Sequence, residues 1–410
     1  MKILYLSQYF PPEVGATQTR AYEMARYLVE KGHQVTMLAE IPNHPSGIIP
    51  PEYRGMLYER ADLDGIDVIR VWVKTSPEKT FLNRMLFYLT FMVNATLAGL
   101  LLTRGQYDVI YATSPPLFVG AAGLALSLLK RIPFIFEVRD LWPESAVALG
   151  ELRNPRFIRW ATWLEERCYH HARCIVVVTE GIQKRLIERG LPAEKLTFIP
   201  NGANTDIFHP QPEAGRSLRR ELGLGDRFLI VYAGIHGIAQ GLETVLQAAQ
   251  RLADVPYIHF LLVGDGPCKA DLLRLKEKLE LPNVTMLSAQ PREAIPAYLS
   301  AADVALVPLR RLDLFKSALP SKMFDAWACG CPIILSIDGE ARKILERAQA
   351  GVFVEPESVG ALVEAIQTLS ADRERCQEYG ANGRRFVEKY YSRQAQARRL
   401  ADLLEMLVIL

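Results

Sequence analysis

The richest chemistry in this 410-residue chain lies in Ala318–Ile333, which reads ALPSKMFDAWACGCPI. Ser321, directly after Pro320, is a natural helix cap. Lys322 and Asp325 stand three apart and share a face of the first turn. A lysine beside a helix amino terminus opposes the helix dipole unless an anion sits there. A nearby carboxylate can accept two hydrogen bonds from a vicinal diol. Together the residues suit a nucleoside diphosphate, with cation and backbone N–H groups on the phosphates and carboxylate on the ribose. A plain helix cap with a Lys–Asp surface pair would be spelled the same way.

Three other stretches follow strand-like runs. Ser7–Arg20, SQYFPPEVGATQTR, offers Gly15 for close backbone approach and a helix amino terminus for an anion. Gly234-Ile-His-Gly237 with Gly241, and Val263-Gly-Asp-Gly-Pro267, repeat the arrangement later in the chain. Gly264 and Gly266 are not followed by the third glycine of a dinucleotide fingerprint, since position 269 is Lys, which disfavours a nicotinamide enzyme. A tight turn is the alternative at Gly264–Gly266. The run FEVRDLWPES packs Glu137, Arg139, Asp140 and Glu144 around Trp142 immediately after an apolar strand, where a site is expected. Asp62-Leu-Asp64 has metal-site spelling, but Gly65 and a strand follow, so it reads as a turn. His170 and His171, adjacent on a helix, point about 100° apart and do not share a metal.

The elements that must position these residues form a repeated α/β pattern. Strands are expected at 2–6, 34–39, 68–73, 109–112, 134–138, 175–178 and 196–199, with helical stretches between most of them. The pattern restarts after Pro210 and Pro212, with strands at 228–232, 259–263, 284–287, 304–307 and 333–335. The expected domains are 1–210 and 211–394, with a helical tail, 395–410, that can cross back to the first. Hydrophobic residues at 50% and charged residues at 23% fit a folded globular chain. The 48 basic and 46 acidic side chains nearly cancel, so no basic domain marks a nucleic-acid binder. Six cysteines without a Cys-x-x-Cys argue against a zinc ribbon and for a reducing, cytoplasmic setting. The opening apolar run is too short for a signal peptide. Met85–Thr103 is uncharged for 19 residues. It can be a spanning helix, a buried core helix or a helix touching a membrane surface, but expected strands of one sheet on both sides argue against spanning.

In order and spacing, these stretches resemble the family 4 glycosyltransferases. The matching pieces are FPPEVGA, VTEGIQKRL, IPNGANTDIFHP, YAGIHGIAQGLETVLQAA, LLVGDGP, AYLSAADVALVPL and PSKMFDAWACGCPII. VRDLWPES and LPSKMFDAWACG look most like the subgroup that builds bacterial surface polysaccharides, including transferases of N-acetylated deoxy sugars such as fucosamine. The resemblance implies the GT-B fold: two doubly wound Rossmann-like domains facing across a cleft. It implies retaining transfer from a nucleotide diphosphate donor, UDP-linked by expectation, to a lipid-linked or glycan acceptor. It implies no cofactor and no metal, and an enzyme that is cytoplasmic and peripheral on the inner face of the membrane. Carried onto this chain, Arg139, Asp140 and Lys322 take catalytic roles. Gly15, Gly234, Gly237, Gly264, Gly266, Ser321, Lys322 and Asp325 bind the donor. Glu13, Arg20 and Glu144 stand on the acceptor side. The chain departs from the family where Ser317 and Asp325 replace the usual Glu pair, where Gln240 replaces a common lysine, and where Arg139-Asp140 replaces His-Asp. The phosphate charge then falls to Lys322 first, with Arg310 or Arg311 as further candidates. A sugar-nucleotide epimerase or hydrolase of the same shape, or a non-catalytic binding protein, are the competing readings.

Overall fold

A computed structural model describes all residues except 14, 45, 79, 149, 151 and 410, and only the backbone at 314 and 409. Val14 of the first loop and Leu410 of the tail thus lie outside the described residues. The chain divides into two compact units, Met1–Pro200 with Gln396–Leu410, and Asn201–Ala395. The division falls at residue 200, not near 210. Asn201–Pro210 goes with the second unit because the Ala203 N–H donates to the Tyr391 carbonyl at 3.0 Å, and Phe208 is buried in that unit's core.

In the first unit the elements run β1 (Lys2–Leu6), α1 (Ala16–Glu30), β2 (Gln34–Glu40), β3 (Tyr58–Leu63), β4 (Ile66–Val71), α2 (Phe81–Leu101), β5 (Val109–Thr113), α3 (Leu117–Lys130), β6 (Phe134–Val138), α4 (Glu144–Ala148), α5 (Pro155–His171), β7 (Cys174–Val177), α6 (Glu180–Glu188) and β8 (Leu196–Phe198). The sheet order is β3-β4-β2-β1-β5-β6-β7-β8. All its pairings are parallel except β3 with β4. The inner strands are apolar runs buried on both faces, as a parallel sheet covered by helices requires. Helices α2, α3, α5 and α6 pack on one face. Helix α1 packs on the other, with the tail helix described below.

In the second unit the order is α7 (Pro212–Glu221), β9 (Phe228–Ala233), α8 (Glu243–Arg251), β10 (Ile258–Val263), α9 (Lys269–Lys278), β11 (Val284–Leu287), α10 (Ile295–Ala301), β12 (Val304–Pro308), α11 (Ser321–Ala328), β13 (Ile333–Ser336), α12 (Glu340–Ala348), β14 (Gly351–Phe353), α13 (Val359–Ala371) and α14 (Arg373–Phe386). Its parallel sheet is ordered β11-β10-β9-β12-β13-β14. Helix α15 (Arg393–Ile409) begins here, and its residues from Gln396 onward belong to the first unit, where Leu400 and Leu404 are buried. In each sheet the strand order reverses at one point, between β1 and β5 and between β9 and β12. The carboxyl ends of these strands frame the crevice where open α/β sheets take ligands.

Three expectations are decided by this topology. Helix α2 joins β4 and β5 of one sheet and packs along its face, so it does not span a membrane. Asp62 and Asp64 stand at the β3–β4 turn, where Asp64 has φ 52° and the Asp62 carboxylate accepts from the Gly65 N–H at 3.1 Å. Arg20, expected on the acceptor side, is instead a brace. It is 1% exposed, and its guanidinium donates to Glu137 at 2.7 and 2.9 Å and to the carbonyls of Ile199 and Pro200, each at 2.9 Å. Burial by itself would raise the Glu137 carboxyl, but Arg20 and Arg139 outweigh it and hold it below its ordinary range. Removing one partner of such a pair strands the other charge. Arg20→Ala is therefore expected to cost about 3–5 kcal/mol of stability, read as a lower urea midpoint at unchanged slope. A loss within 0.5 kcal/mol, as at an ordinary surface site, would contradict the brace.

Candidate nucleotide site

The second unit gathers its chemistry where β9, β10 and α11 meet. The loops after β9 and β10 interlock: the Gly234 N–H donates to Val263 O at 2.9 Å, His236 N–H to Asp265 O at 2.9 Å, and Cys268 N–H to His236 O at 2.9 Å. A Cβ on Gly264 would lie 1.8 Å from Gly234 O, and one on Gly266 2.6 Å from His236 O. These two glycines, expected to face the donor, are glycines because the neighbouring loop passes there. Lys269 secures the same crossing, its Nζ donating to Gly264 O at 2.9 Å and Leu287 O at 2.6 Å. The lysine that replaces the third glycine of the fingerprint thus has a structural task. At Gly237 a Cβ would press on the Gln240 side chain, again a neighbour within the loop.

Gly234 differs. A Cβ there would lie 2.7 Å from the Lys322 Nζ, so its absence leaves room for an ammonium. Lys322 reaches this place because Met323, Phe324 and Trp327, all fully buried, pin α11 to the core, and the Trp327 indole donates to Ala350 O at 2.9 Å. Ser321 is the first helical residue and not the cap, because Pro320 occupies the capping position and no side chain caps the helix. The Lys322 Nζ donates to the Tyr232 hydroxyl at 2.9 Å and stands 4.3 Å from that ring's centroid. Among the described residues no carboxylate forms an ion pair with it, whereas Arg310 lies 3.1 Å from Glu243 and 3.5 Å from Glu357, and Arg311 lies 3.2 Å from Glu355. Burial pulls the Lys322 amine down to about 8, against the opposing pull of Asp325. Asp325 lies one turn further along α11, half-buried.

Two residues here have no sequence signal. Tyr232 ends β9 in what reads as an apolar run. His236 hides among glycines. It is fully buried beside the Tyr232 ring, centroids 5.8 Å apart, with neither ring nitrogen hydrogen-bonded, and burial holds it down to about 4 and hence neutral. Only an aromatic hydroxyl at a strand's carboxyl end and a histidine inside a glycine loop could have drawn attention to them.

The first unit's candidates are more committed. Glu13, expected on the acceptor side, is buried; its Oε1 accepts from the N–H groups of Asn43 and His44, both at 2.6 Å, and braces the loop after β2, while its Oε2 has no hydrogen-bond partner among the described residues. Gly15 precedes α1 with an extended φ of 171°, and the Gln18 side chain occupies the space beside it. Arg139 adds its charge to the field that keeps Glu137 ionised. Asp140 accepts from the Ser145 hydroxyl at 2.8 Å, and burial raises its carboxyl against that bond and one from the Leu141 N–H. Glu144 is half-exposed and pairs with Arg185 at 3.1 Å. Nearby, a cavity of about 190 Å³ is lined by Tyr9, Asn43, His44, Arg84 and Tyr88 among others. Among the described residues no three His, Cys, Asp or Glu side chains gather at metal-binding distance.

Two family models cover most of the chain: a glycosyl transferase 4-like domain over residues 15–202 and glycosyl transferases group 1 over 216–386. The chain belongs to the family 4 glycosyltransferases. This glycosyltransferase is 28% identical over 375 residues, 90% of its own length and 91% of the other's, to WcaI of Escherichia coli (strain K12), a protein named for glycosyl transfer in colanic acid biosynthesis. It is also 28% identical, over 58% of its length and 63% of the relative's, to a GDP-mannose-dependent phosphatidylinositol monomannoside mannosyltransferase of Mycolicibacterium smegmatis. Its fold is the GT-B fold. It matches sucrose-phosphate synthase from Thermosynechococcus elongatus with TM-score 0.75 at 21% identity, covering 99% and 98% of the two chains. It matches Anabaena HepE in complex with UDP-glucose with TM-score 0.74 at 18% identity, covering 99% and 100%.

The site generates a pH signature. An ammonium, unlike a neutral amine, attracts an anion, and the ammonium form of Lys322 persists below about pH 8 in the free enzyme. Calorimetric affinity for a nucleoside diphosphate is expected to hold at lower pH and to fall as pH rises through about 8, approaching tenfold per unit. Lys322→Met should weaken binding and flatten that profile. An unchanged profile in the variant would place the phosphate elsewhere.

Proposed function

We propose that this glycosyltransferase moves an N-acetylated hexosamine or deoxyhexosamine from a UDP-linked donor to a lipid-linked or glycan acceptor in surface polysaccharide synthesis, with retention and without a divalent metal. The observation that carries the reading is the half-buried Lys322 ammonium at the start of α11, with no carboxylate in an ion pair with it among the described residues. The chemical difficulty in such a transfer is the charge that develops on the leaving diphosphate. A preorganised cation and helix-terminal N–H groups stabilise that charge where it appears.

Asp325 takes the ribose hydroxyls, one turn beyond the lysine. Arg139 and Asp140, just past the carboxyl end of β6, are the first unit's candidates for catalytic roles, with the half-exposed Glu144 on the acceptor side. No general base is required, because the departing phosphate can accept the acceptor's proton. The relatives support the polysaccharide and lipid contexts by what their names state: colanic acid in one case and a phosphatidylinositol mannoside in the other. The subgroup resemblance of VRDLWPES and LPSKMFDAWACG favours UDP and an N-acetylated sugar; the mannosyltransferase's GDP-mannose makes GDP the necessary control. The six cysteines, all free, suit a cytoplasmic enzyme at the inner face of the membrane.

Turnover of UDP- and GDP-sugars with a membrane extract as acceptor tests the proposal. Product with the donor's anomeric configuration, formed at the same rate with and without a chelator, is expected. Activity lost to the chelator and restored by magnesium or manganese, or nucleotide binding with no turnover, would overturn it. Asp325→Asn should weaken nucleotide binding by about 1.5–3 kcal/mol, the worth of a hydrogen bond to a charged group. Equal affinity of the unaltered enzyme for ribo- and 2′,3′-dideoxynucleotides would contradict the ribose role.

A further inference from the structure

Helix α2 turns the wrong residues outward for a protein surrounded only by water. Met85, Phe91, Ala95, Ala98 and Gly99 face the core, yet only 28% of the helix's apolar 18-residue stretch is buried. Leu82, Leu86, Val93 and Leu97, spaced by four, seven and four residues, line the opposite side, and Leu82 is 66% exposed. An outward helix face is ordinarily polar. A contiguous apolar one marks a contact with something else.

The stripe continues onto α5 through aromatic rings. Phe81 meets Phe157 at 5.5 Å between centroids, and Phe157 meets Trp160 at 5.4 Å. Trp160 and Trp163 are exposed, Trp163 by 51%. At about 100° per residue, Arg156, Arg159, Trp160, Trp163 and Arg167 share one face of α5. Arg156 and Arg159 make no ion pair among the described residues, and Arg167 lies over the Trp163 ring at 5.4 Å. The two carboxylates of this helix are directed to Arg189 instead: Glu165 at 2.6 Å and Glu166 at 3.7 Å. The result is a leucine stripe, a tryptophan pair and uncompensated arginines side by side. Tryptophan and arginine beside an apolar helix face suit the boundary between lipid headgroups and acyl chains.

We propose that the outer face of α2, extended by Trp160, Trp163 and the arginines of α5, docks on an anionic lipid bilayer, lying in its interface without crossing it. The charge pattern commits the occupant: a second copy of the chain would set these arginines against one another, whereas anionic headgroups neutralise them. The first turns of α2 also supply Asn83, Arg84, Phe87 and Tyr88 to the 190 Å³ cavity, so docking would hold that cavity at headgroup level. The inference rests on the membrane-face setting proposed above and is independent of the donor chemistry, and its test uses no turnover.

The full chain is sedimented with vesicles of phosphatidylcholine alone or mixed with phosphatidylglycerol. Binding to the anionic vesicles at low salt, weakened by added salt, is expected. Arg156→Gln and Arg159→Gln should each weaken it about fivefold, and Leu86→Gln with Val93→Gln should abolish it. Nucleoside diphosphate affinity, read on the other unit, and the circular dichroism spectrum should stay unchanged in all variants. A blue shift of tryptophan fluorescence on adding anionic vesicles to the unaltered chain is expected without any variant. No binding to anionic vesicles at low salt, binding indifferent to the arginine replacements, or a concentration-dependent dimer that Val93→Gln dissociates would overturn the proposal.

Discussion

A half-buried ammonium group, without an ion-paired carboxylate among the described residues, governs the carboxyl edge of the second sheet. Lys322 would ordinarily be expected to pair or to stay exposed, since removing a charge from water costs several kcal/mol. Here the neighbouring cations are otherwise engaged, Arg310 and Arg311 paired with glutamates and Lys269 hydrogen-bonded to two carbonyls. Lys322 receives a hydroxyl, the face of a ring and the longer-range pull of Asp325. Much of the local structure serves to keep it there. The buried side of α11 fixes the helix, the missing side chain of Gly234 opens the space, and the interlocked loops after β9 and β10 wall it. An anion arriving at that point recovers the desolvation already spent in folding.

The first unit follows a different economy of charge. Its buried polar side chains lean on one another: Arg20 pairs with Glu137, Glu40 accepts from Gln8 and Asn43, and Glu13 accepts from two backbone N–H groups through one of its oxygens. These pairings fasten the loops after β1 and β2 and the end of β6 to the sheet. The same doubly wound architecture thus supports two uses of its carboxyl edge. One is braced by a buried ion pair and by carboxyl groups held in neutral hydrogen bonds, and the other presents a lysine without an ion-paired carboxylate among the described residues.

The sequence was legible wherever one physical signal dominated. Apolar runs bounded by glycine and proline located twelve of the strands to within a few residues, because buried parallel strands need no alternation to be seen. Two strands escaped. β3, Tyr58-Glu-Arg-Ala-Asp-Leu, is an edge strand whose charged residues mask its character, and β14 has only three residues. In the candidate site, the unusual placement of Lys322 was legible because a cation at a helix start contradicts the dipole. The glycines at 264 and 266 misled, since letters cannot tell a loop that admits a ligand from one that admits its neighbour. Arg20 misled for a related reason: its partner Glu137 is distant in sequence and meets it only once the sheet has formed. Tyr232 and His236 were invisible because their significance is a matter of position alone.

The central claim, that Lys322 is a cation held ready for a diphosphate, is tested most directly by titrating that one amine. Carbon-13-labelled lysine, assigned by comparison with Lys322→Arg, reports its protonation by NMR in the presence and absence of a nucleoside diphosphate. The account predicts a midpoint near the value of about 8 in the free enzyme, moving upward when the nucleotide binds. A midpoint that stays where it was on saturation with the nucleotide would contradict it.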